Sequence, residues 1–429
     1  MHKRVVVVIL GSLALAACDE APATGATYHA DIAPLVLNHC ASCHQAGGIA
    51  PFQLLTYDDA FENKDAIAFS VANRRMPPWN LDNSGDCKTY KDARWLDDDE
   101  IALITGWVEA GAPEGERPGQ ALTPPPPDAL DDENAVYLEM EEPYTPTPQP
   151  GFPTDDYRCF FLEPGNTQDA YVTGFEIVPG APQEVHHMLL FSLLEADAEQ
   201  QAQALDDDDP APGWTCFGAA GDGVDQDDVL LVAGWAPGTN VMRYPEGTGV
   251  FVPANRRMVM QIHYNLLAGA VADLTGIKVA LAPTVDKEAA LLPLADDSFE
   301  LPPNLPLVEF AFTQSLFGLS EPLQLHGIFP HMHTMGQTLN VSMKPIGDVD
   351  GSDAECLGDV PRWDFSWQQV SFYEEPVLID GSKQIDVGCT WDTSGRTTPT
   401  FWGEGTEDEM CLVFVYITRV NGGPLSDVL

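Results

Sequence analysis

Basic residues are what this 429-residue chain lacks: 20 Lys and Arg stand against 66 Asp and Glu, a formal net charge of -46. Such a balance repels phosphate backbones and anionic membrane surfaces, which argues against nucleic-acid binding. It is read first as a solvated surface and second as a docking face for a basic redox partner. Long apolar runs are scarce too, and the run Val5 to Ala17 is too short and too abruptly ended for a transmembrane helix. From about residue 137 no convincing long amphipathic helix is found. Instead, 36 Pro and 36 Gly in the chain divide it into short elements, which favours all-β architecture.

What the opening run does have is the layout of an export signal, with His2, Lys3 and Arg4 before it and small residues at its end. Leu15-Ala16-Ala17-Cys18 resembles a bacterial lipobox, which implies a signal peptide over 1–18 and a lipid anchor on Cys18. The expected location is therefore the bacterial cell envelope, periplasmic or on the outer surface.

Cys40-Ala41-Ser42-Cys43-His44 follows a short helix expected from Asp31 to Asn38. C-x-x-C-H is the attachment motif of c-type haem: two thiols take the vinyl groups and the His takes the iron. A zinc or redox C-x-x-C is the alternative, and zinc would want further ligands nearby. The segment resembles class I cytochromes c, in which a later Met supplies the sixth ligand. Met76, before Pro77 and Pro78 in a stiff loop, sits in the matching place. A helix from Asp99 to Ala110 closes this small all-α domain, assigned to 19–119. Pro124 to Pro127 then mark a semi-rigid linker over 120–136.

Beyond it, strands are expected over 171–178, 185–194, 257–267, 323–329, 337–343 and 411–418. That suits two β-sandwiches, 137–295 and 296–429. The acidic stretches Asp206 to Asp209 and Asp222 to Asp228 read as loops without the spacing of a calcium motif.

Only ten histidines are present, and their grouping carries the chemistry. His331 and His333 are two apart, so on a strand they share one face and can chelate one ion. Met410 is the candidate third ligand, a soft thioether that favours Cu(I) over zinc or a facial iron site. His186 and His187 are adjacent, so both reach one ion only at a strand end, a bulge or a strong twist. With His263 they would form an all-imidazole site for copper or zinc. His326 is left as ordinary structure.

His186-His187-Met188-Leu189-Leu190-Phe191, Gln261-Ile262-His263-Tyr264, His331-Met332-His333 and the segment Gly403 to Cys411 together resemble the copper type II, ascorbate-dependent monooxygenases. The resemblance implies two jelly-roll domains, each holding one copper, facing across a solvent-filled cleft. By it, His186, His187 and His263 bind an electron-transfer copper, and His331, His333 and Met410 bind the copper that activates O2. Gln261 matches a residue beside the first copper. Cys159 with Cys216 and Cys389 with Cys411 match disulfides of that family, while Cys87 and Cys356 pair with each other or stay free. The Arg, Asn and Tyr that hold a peptide carboxylate in the peptide hydroxylases are here Phe329, Leu412 and Phe414. No charge-assisted fork remains, so a small, uncharged, partly apolar substrate is implied.

The reading is thus a lipid-anchored protein of mainly β fold with two jelly rolls behind a cytochrome c domain. Two coppers and one covalent haem c serve C–H hydroxylation with O2, fed by an electron donor at the membrane. The rival readings are a non-catalytic copper-binding lipoprotein and an electron relay.

Overall fold

The computed structural model describes residues 25–425 except 47, 49, 120–122, 124–127, 238, 240 and 268. The expected signal segment with Cys18, and Pro124 to Pro127, lie outside the described residues. The chain forms two compact units: Met1–Met76 with Leu96–Pro125, and Pro77–Trp95 with Pro126–Leu429.

The first unit is helical where described: a π-turn at Tyr28–Ile32 continues into Ala33–His39, followed by Tyr57–Glu62, Lys64–Ala72 and Asp98–Glu109. The last of these shows why. Ile101, Ile104 and Trp107 recur at helical spacing, and the last two are buried. Asp97 accepts the Glu100 N–H at 2.8 Å while Glu100 returns a bond to Asp97 N at 3.0 Å, a capping box that stabilises the first turn by about 1 kcal/mol. Gly111, with φ of 89°, stops the helix.

The second unit is built from strands. A nine-stranded sheet runs through the whole unit, and two smaller sheets face its two halves. One half includes Ala170–Val178 and Thr248–Val252. Its core, with Val172, Phe175, Leu190 and Met260, is shared with a five-stranded sheet made of Trp214–Thr215, Asp155–Leu162, Met258–Asn265, Val185–Leu193 and Val229–Trp235. The other half includes Leu323–His331 and Leu412–Arg419. Its core, with Leu325, Val341, Val387 and Val415, is shared with the four-stranded sheet Val308–Ser315, Lys383–Trp391, Gly336–Pro345 and Glu355–Val360.

Three expectations about the chain's division differ from this. Lys287–Ala295, assigned to the N-terminal sandwich, pairs with Leu412–Arg419 from Ala289↔Thr418 to Ala295↔Leu412, and also runs parallel to Thr248–Val252. The two sandwiches therefore share one sheet. The expected linker ends early, because Leu130 is buried, its N–H donates to Glu176 at 2.9 Å, and Asp128 pairs with Arg243. Finally, Pro77–Trp95 leaves the helical unit. Trp79, Leu81 and Tyr90 join the core of the C-terminal sandwich, Asp82 N donates to Asp359 O at 2.7 Å, and Cys87 is disulfide-bonded to Cys356.

A helix at Ala196–Asp208 also replaces part of what reads as acidic loop. Only Ala198 and Ala202 of it are buried, so it carries no apolar stripe to reveal it.

Candidate active site

His186 and His187 lie near the start of Val185–Leu193, and the strand is bulged there. Val185 pairs with Tyr264 and His187 with His263, leaving His186 without a partner in the register. That extra residue brings both rings together, so of the strand end, bulge or strong twist that the adjacent pair allows, the bulge is the one observed. His186 and His187 have ring centroids 4.2 Å apart, and His263 lies 5.3 Å from the first and 5.6 Å from the second. One ring nitrogen from each of the three lies within 4.8 Å of the others.

The protonation of these rings suits a metal. Burial pushes His186 down to about 3 and His187 well below the usual range, so both are neutral. His186 Nδ1 is buried with no hydrogen-bond partner, a cost of about 1–3 kcal/mol that coordination would remove. His263 points Nε2 at Asp155 Oδ1, 2.8 Å away, leaving Nδ1 for an ion. Burial pushes the Asp155 carboxyl up, but the bonds from His263 and Thr406 outweigh it and hold the group below its ordinary value. A carboxylate behind a ligand imidazole is the arrangement that fixes tautomer and ring orientation in metal sites. Tyr157 stacks on the other side, 4.2 Å from His263 and nearly parallel.

The second group sits where Leu323–His331 ends. His331 and His333 rings are 5.2 Å apart and perpendicular. His331 donates Nδ1–H to Gln368 Oε1 at 2.5 Å and His333 donates Nδ1–H to the Asp408 carbonyl at 3.1 Å. Each therefore keeps Nε2 for a metal. Burial lowers His331 to about 4 and His333 well below the usual range. Met410 is 5% exposed and borders the same cavity as both rings. It precedes Cys411, whose disulfide to Cys389 ties this segment to the four-stranded sheet.

Four residues that sequence reasoning missed hold this arrangement. Glu409 is fully buried and accepts from His333 N at 2.9 Å, Met335 N at 2.7 Å and Trp391 Nε1 at 2.9 Å, fixing the turn that carries His333. Burial pushes its carboxyl up to about 7 against those bonds. Asp155 orients His263, and Gln368 touches both histidine groups. Glu404 brings a carboxyl to the cavity, raised by burial and by Asp408. Only Glu409, beside Met410 in sequence, had a signal close to a proposed ligand.

His187 and His263 of the first group, and His331, His333 and Met410 of the second, line one cavity of about 490 Å³. Phe329, Leu412 and Phe414 line it, with Leu189, Phe191 and Leu292. Gln261 also borders it, with its amide committed to the carbonyls of Gly218 and Ala219. The expected solvent-filled cleft between the two histidine groups is corrected: the rings of His187 and His331 are 5.9 Å apart, and Phe365 packs against His186, His187 and His333. The segment carrying Phe365 and Gln368 fills the space. His326 bonds Thr418 Oγ1 at 2.9 Å, outside either group.

In the helical unit, Cys40 and Cys43 are unpaired, and His44 donates Nδ1–H to the Phe52 carbonyl at 2.9 Å, leaving Nε2 for an iron. Met76 is 37% exposed. These donors fit a c-type haem in kind.

Residues 312–421 match the model of the copper type II ascorbate-dependent monooxygenase, C-terminal domain. The chain is 25% identical over 305 residues to tyramine beta-hydroxylase of Caenorhabditis briggsae, covering 66% of this chain and 49% of that protein. It is 26% identical over 290 residues to the putative DBH-like monooxygenase protein 2 of Homo sapiens, with 63% and 55% covered. Against peptidyl-glycine alpha-amidating monooxygenase A of Xenopus laevis it is 26% identical over 278 residues, with 61% and 26% covered. The chain thus spans about half or less of the length of these relatives. The matched family and these relatives are monooxygenases by name.

Proposed function

We propose that this chain is a copper-dependent monooxygenase that hydroxylates a C–H bond of a small, uncharged, partly apolar substrate with O2. In balance, the substrate, O2, two electrons and two protons give the alcohol and water. The observation that carries the reading is the opening of two histidine groups, one with a thioether, on a single largely apolar cavity.

His186, His187 and His263 would hold one copper through imidazole nitrogens alone, and His331, His333 and Met410 the other. When bound, the first supplies an electron and the second activates O2. Everything else falls to the chain itself. Asp155 holds His263 in one tautomer, and Glu409 holds the backbone of His333 and Met335. Met410 supplies the soft ligand that favours the reduced ion. Phe329, Leu412 and Phe414 exclude water from the cavity and offer apolar area instead of a carboxylate fork.

The two electrons are assigned to a haem c held by Cys40, Cys43, His44 and Met76, itself reduced by a donor at the membrane. Ascorbate, a small anion, is poorly attracted by a chain of net charge -46. The two units belong to one chain, joined at Met76/Pro77 and Trp95/Leu96, and such a tether raises the effective concentration of the proposed donor. Lipid attachment at Cys18 in the bacterial cell envelope belongs to the same reading.

Oxygen uptake on reduction tests the function. With 18O2 and a panel of neutral aromatic and aliphatic compounds, one labelled oxygen should appear in the product per two electrons consumed. Copper binding without uptake would favour a copper-binding protein, and haem-to-copper electron flow without uptake would favour a relay. Stopped-flow mixing of haem-reduced, Cu(II) protein separately tests the donor. Anaerobic haem oxidation at a rate independent of protein concentration supports it, and a haem that stays reduced removes it.

A further inference from the structure

Gln368 is the one side chain, among the described residues, that hydrogen-bonds to both histidine groups. Its Oε1 accepts His331 Nδ1–H at 2.5 Å. Its Nε2 donates one hydrogen to Phe365 O at 2.8 Å and the other to His187 Nε2 at 3.0 Å. Both donor hydrogens and the one acceptor oxygen of the amide are thereby engaged within the protein. Gln368 is 2% exposed.

The segment that carries it is held from outside. Asn80 donates Nδ2–H to Trp367 O at 2.5 Å and to Asp364 O at 3.2 Å. Asn80 belongs to Pro77–Trp95, the strap stapled to the C-terminal sandwich by Cys87–Cys356. Gln368 cannot swing away without disturbing these contacts.

The bond to His187 conflicts with metal. A neutral imidazole has one lone pair, and here Nε2 spends it on the amide while Nδ1 carries the proton. A metal at Nε2 would take that lone pair. A metal at Nδ1 would displace the proton to Nε2, and an N–H would then face the NH2 of Gln368. Either way the bond is lost. Rotating the amide by half a turn presents oxygen to His187, but it turns the NH2 toward His331. That is tolerated only while the second group is empty, because His331 ligating through Nε2 must keep its proton on Nδ1.

We infer that His187, its Nε2 committed to the amide, ligates through Nδ1, and that Gln368 is then a latch between the two metal groups that closes with neither or one of them loaded and is broken when both are. Filling one site therefore weakens metal binding at the other, and full loading frees the segment that carries Phe365 from the cavity. This rests on the two-copper reading above and adds a coupling to it.

The test is a Cu(I) titration against a chromophoric chelator, using the full chain. His333→Ala with Met410→Ala disables the second group but keeps His331, so it reports the first group with its neighbour empty. The native chain with its second group filled reports the other state. The first group should bind Cu(I) more tightly in the double variant, by a factor about tenfold larger than the same comparison gives in a Gln368→Ala background. Charge repulsion between the two ions is common to both backgrounds and cancels. Gln368→Glu supplies two acceptor oxygens, one for each ring N–H, and should abolish or reverse the coupling. Hydrogen exchange of residues 361–370 should rise on loading the second copper in the native chain and change little in Gln368→Glu.

An unchanged coupling in Gln368→Ala, with both groups loading, would overturn the latch and leave the two-copper reading standing. Failure of either group to load in the native chain would instead overturn the reading on which the latch rests. Circular dichroism and urea unfolding of each variant separate loss of coupling from loss of fold.

Discussion

Asp155 Oδ1 lies 2.8 Å from His263 Nε2, and the same oxygen accepts the Thr406 hydroxyl at 2.6 Å. Asp155 comes from the N-terminal sandwich and Thr406 from the segment that leads to Met410. One carboxylate thus orients a proposed ligand of the first group and ties it to the chain that carries a proposed ligand of the second. Asp155→Asn should lower copper affinity at the first group about 10–100-fold and leave the second group loaded. Competition titration reads both. Equal affinity in native and variant chains would show that Asp155 does not orient His263.

Met410→His replaces a soft ligand by a harder one at the proposed oxygen site. Copper should still bind, while hydroxylation collapses and the sulfur signal in Cu(I) X-ray absorption disappears. Unchanged turnover would remove Met410 from the site.

In the proposed function the cavity wall of Phe329, Leu412 and Phe414 sets substrate class. Competition assays should rank neutral aromatics and aliphatics above carboxylated, glycine-extended peptides. Phe414→Asp should lower kcat/KM for the apolar substrates at least tenfold, about what losing one buried aromatic contact costs. The reverse ranking would mean that the missing fork does not decide specificity.

Removing Cys87–Cys356 as the double Ser variant should destabilise the strand-built unit by about 2–4 kcal/mol, read as a lower urea midpoint. The same variant loosens Pro77–Trp95, so exchange of backbone amides in 361–370 should also rise. An unchanged midpoint would show that the packing of Trp79, Leu81 and Tyr90 and the strap's hydrogen bonds hold it without the disulfide.

Much of the site was legible because it rests on residue chemistry: few histidines, in pairs, with a thioether and three hydrophobic replacements. The strands that carry them were legible from alternation, and the observed Val185–Leu193, Leu323–His331 and Leu412–Arg419 fall within a few residues of expectation. A strand end, a bulge or a strong twist was required at His186 and His187, and only the backbone pairing distinguishes the bulge from the other two. Gln368, Asp155 and Glu409 were not legible. A polar residue becomes a buried partner only through long-range packing, as when Gln368 meets His187 across 181 positions. The same holds for the division of the chain, because the pull of Trp79 and Tyr90 into a distant core outweighs their nearness in sequence to the helices.

The central claim is two coppers on two different ligand sets, and metal loading with X-ray absorption tests it most directly. Reconstituted protein should hold two coppers per chain, and the Cu(I) edge should report imidazole nitrogens throughout with one sulfur for every two coppers. Both values should fall together in Met410→Ala combined with His333→Ala, to one copper and no sulfur. A single copper per native chain at saturation, or two coppers with no sulfur, would contradict the account.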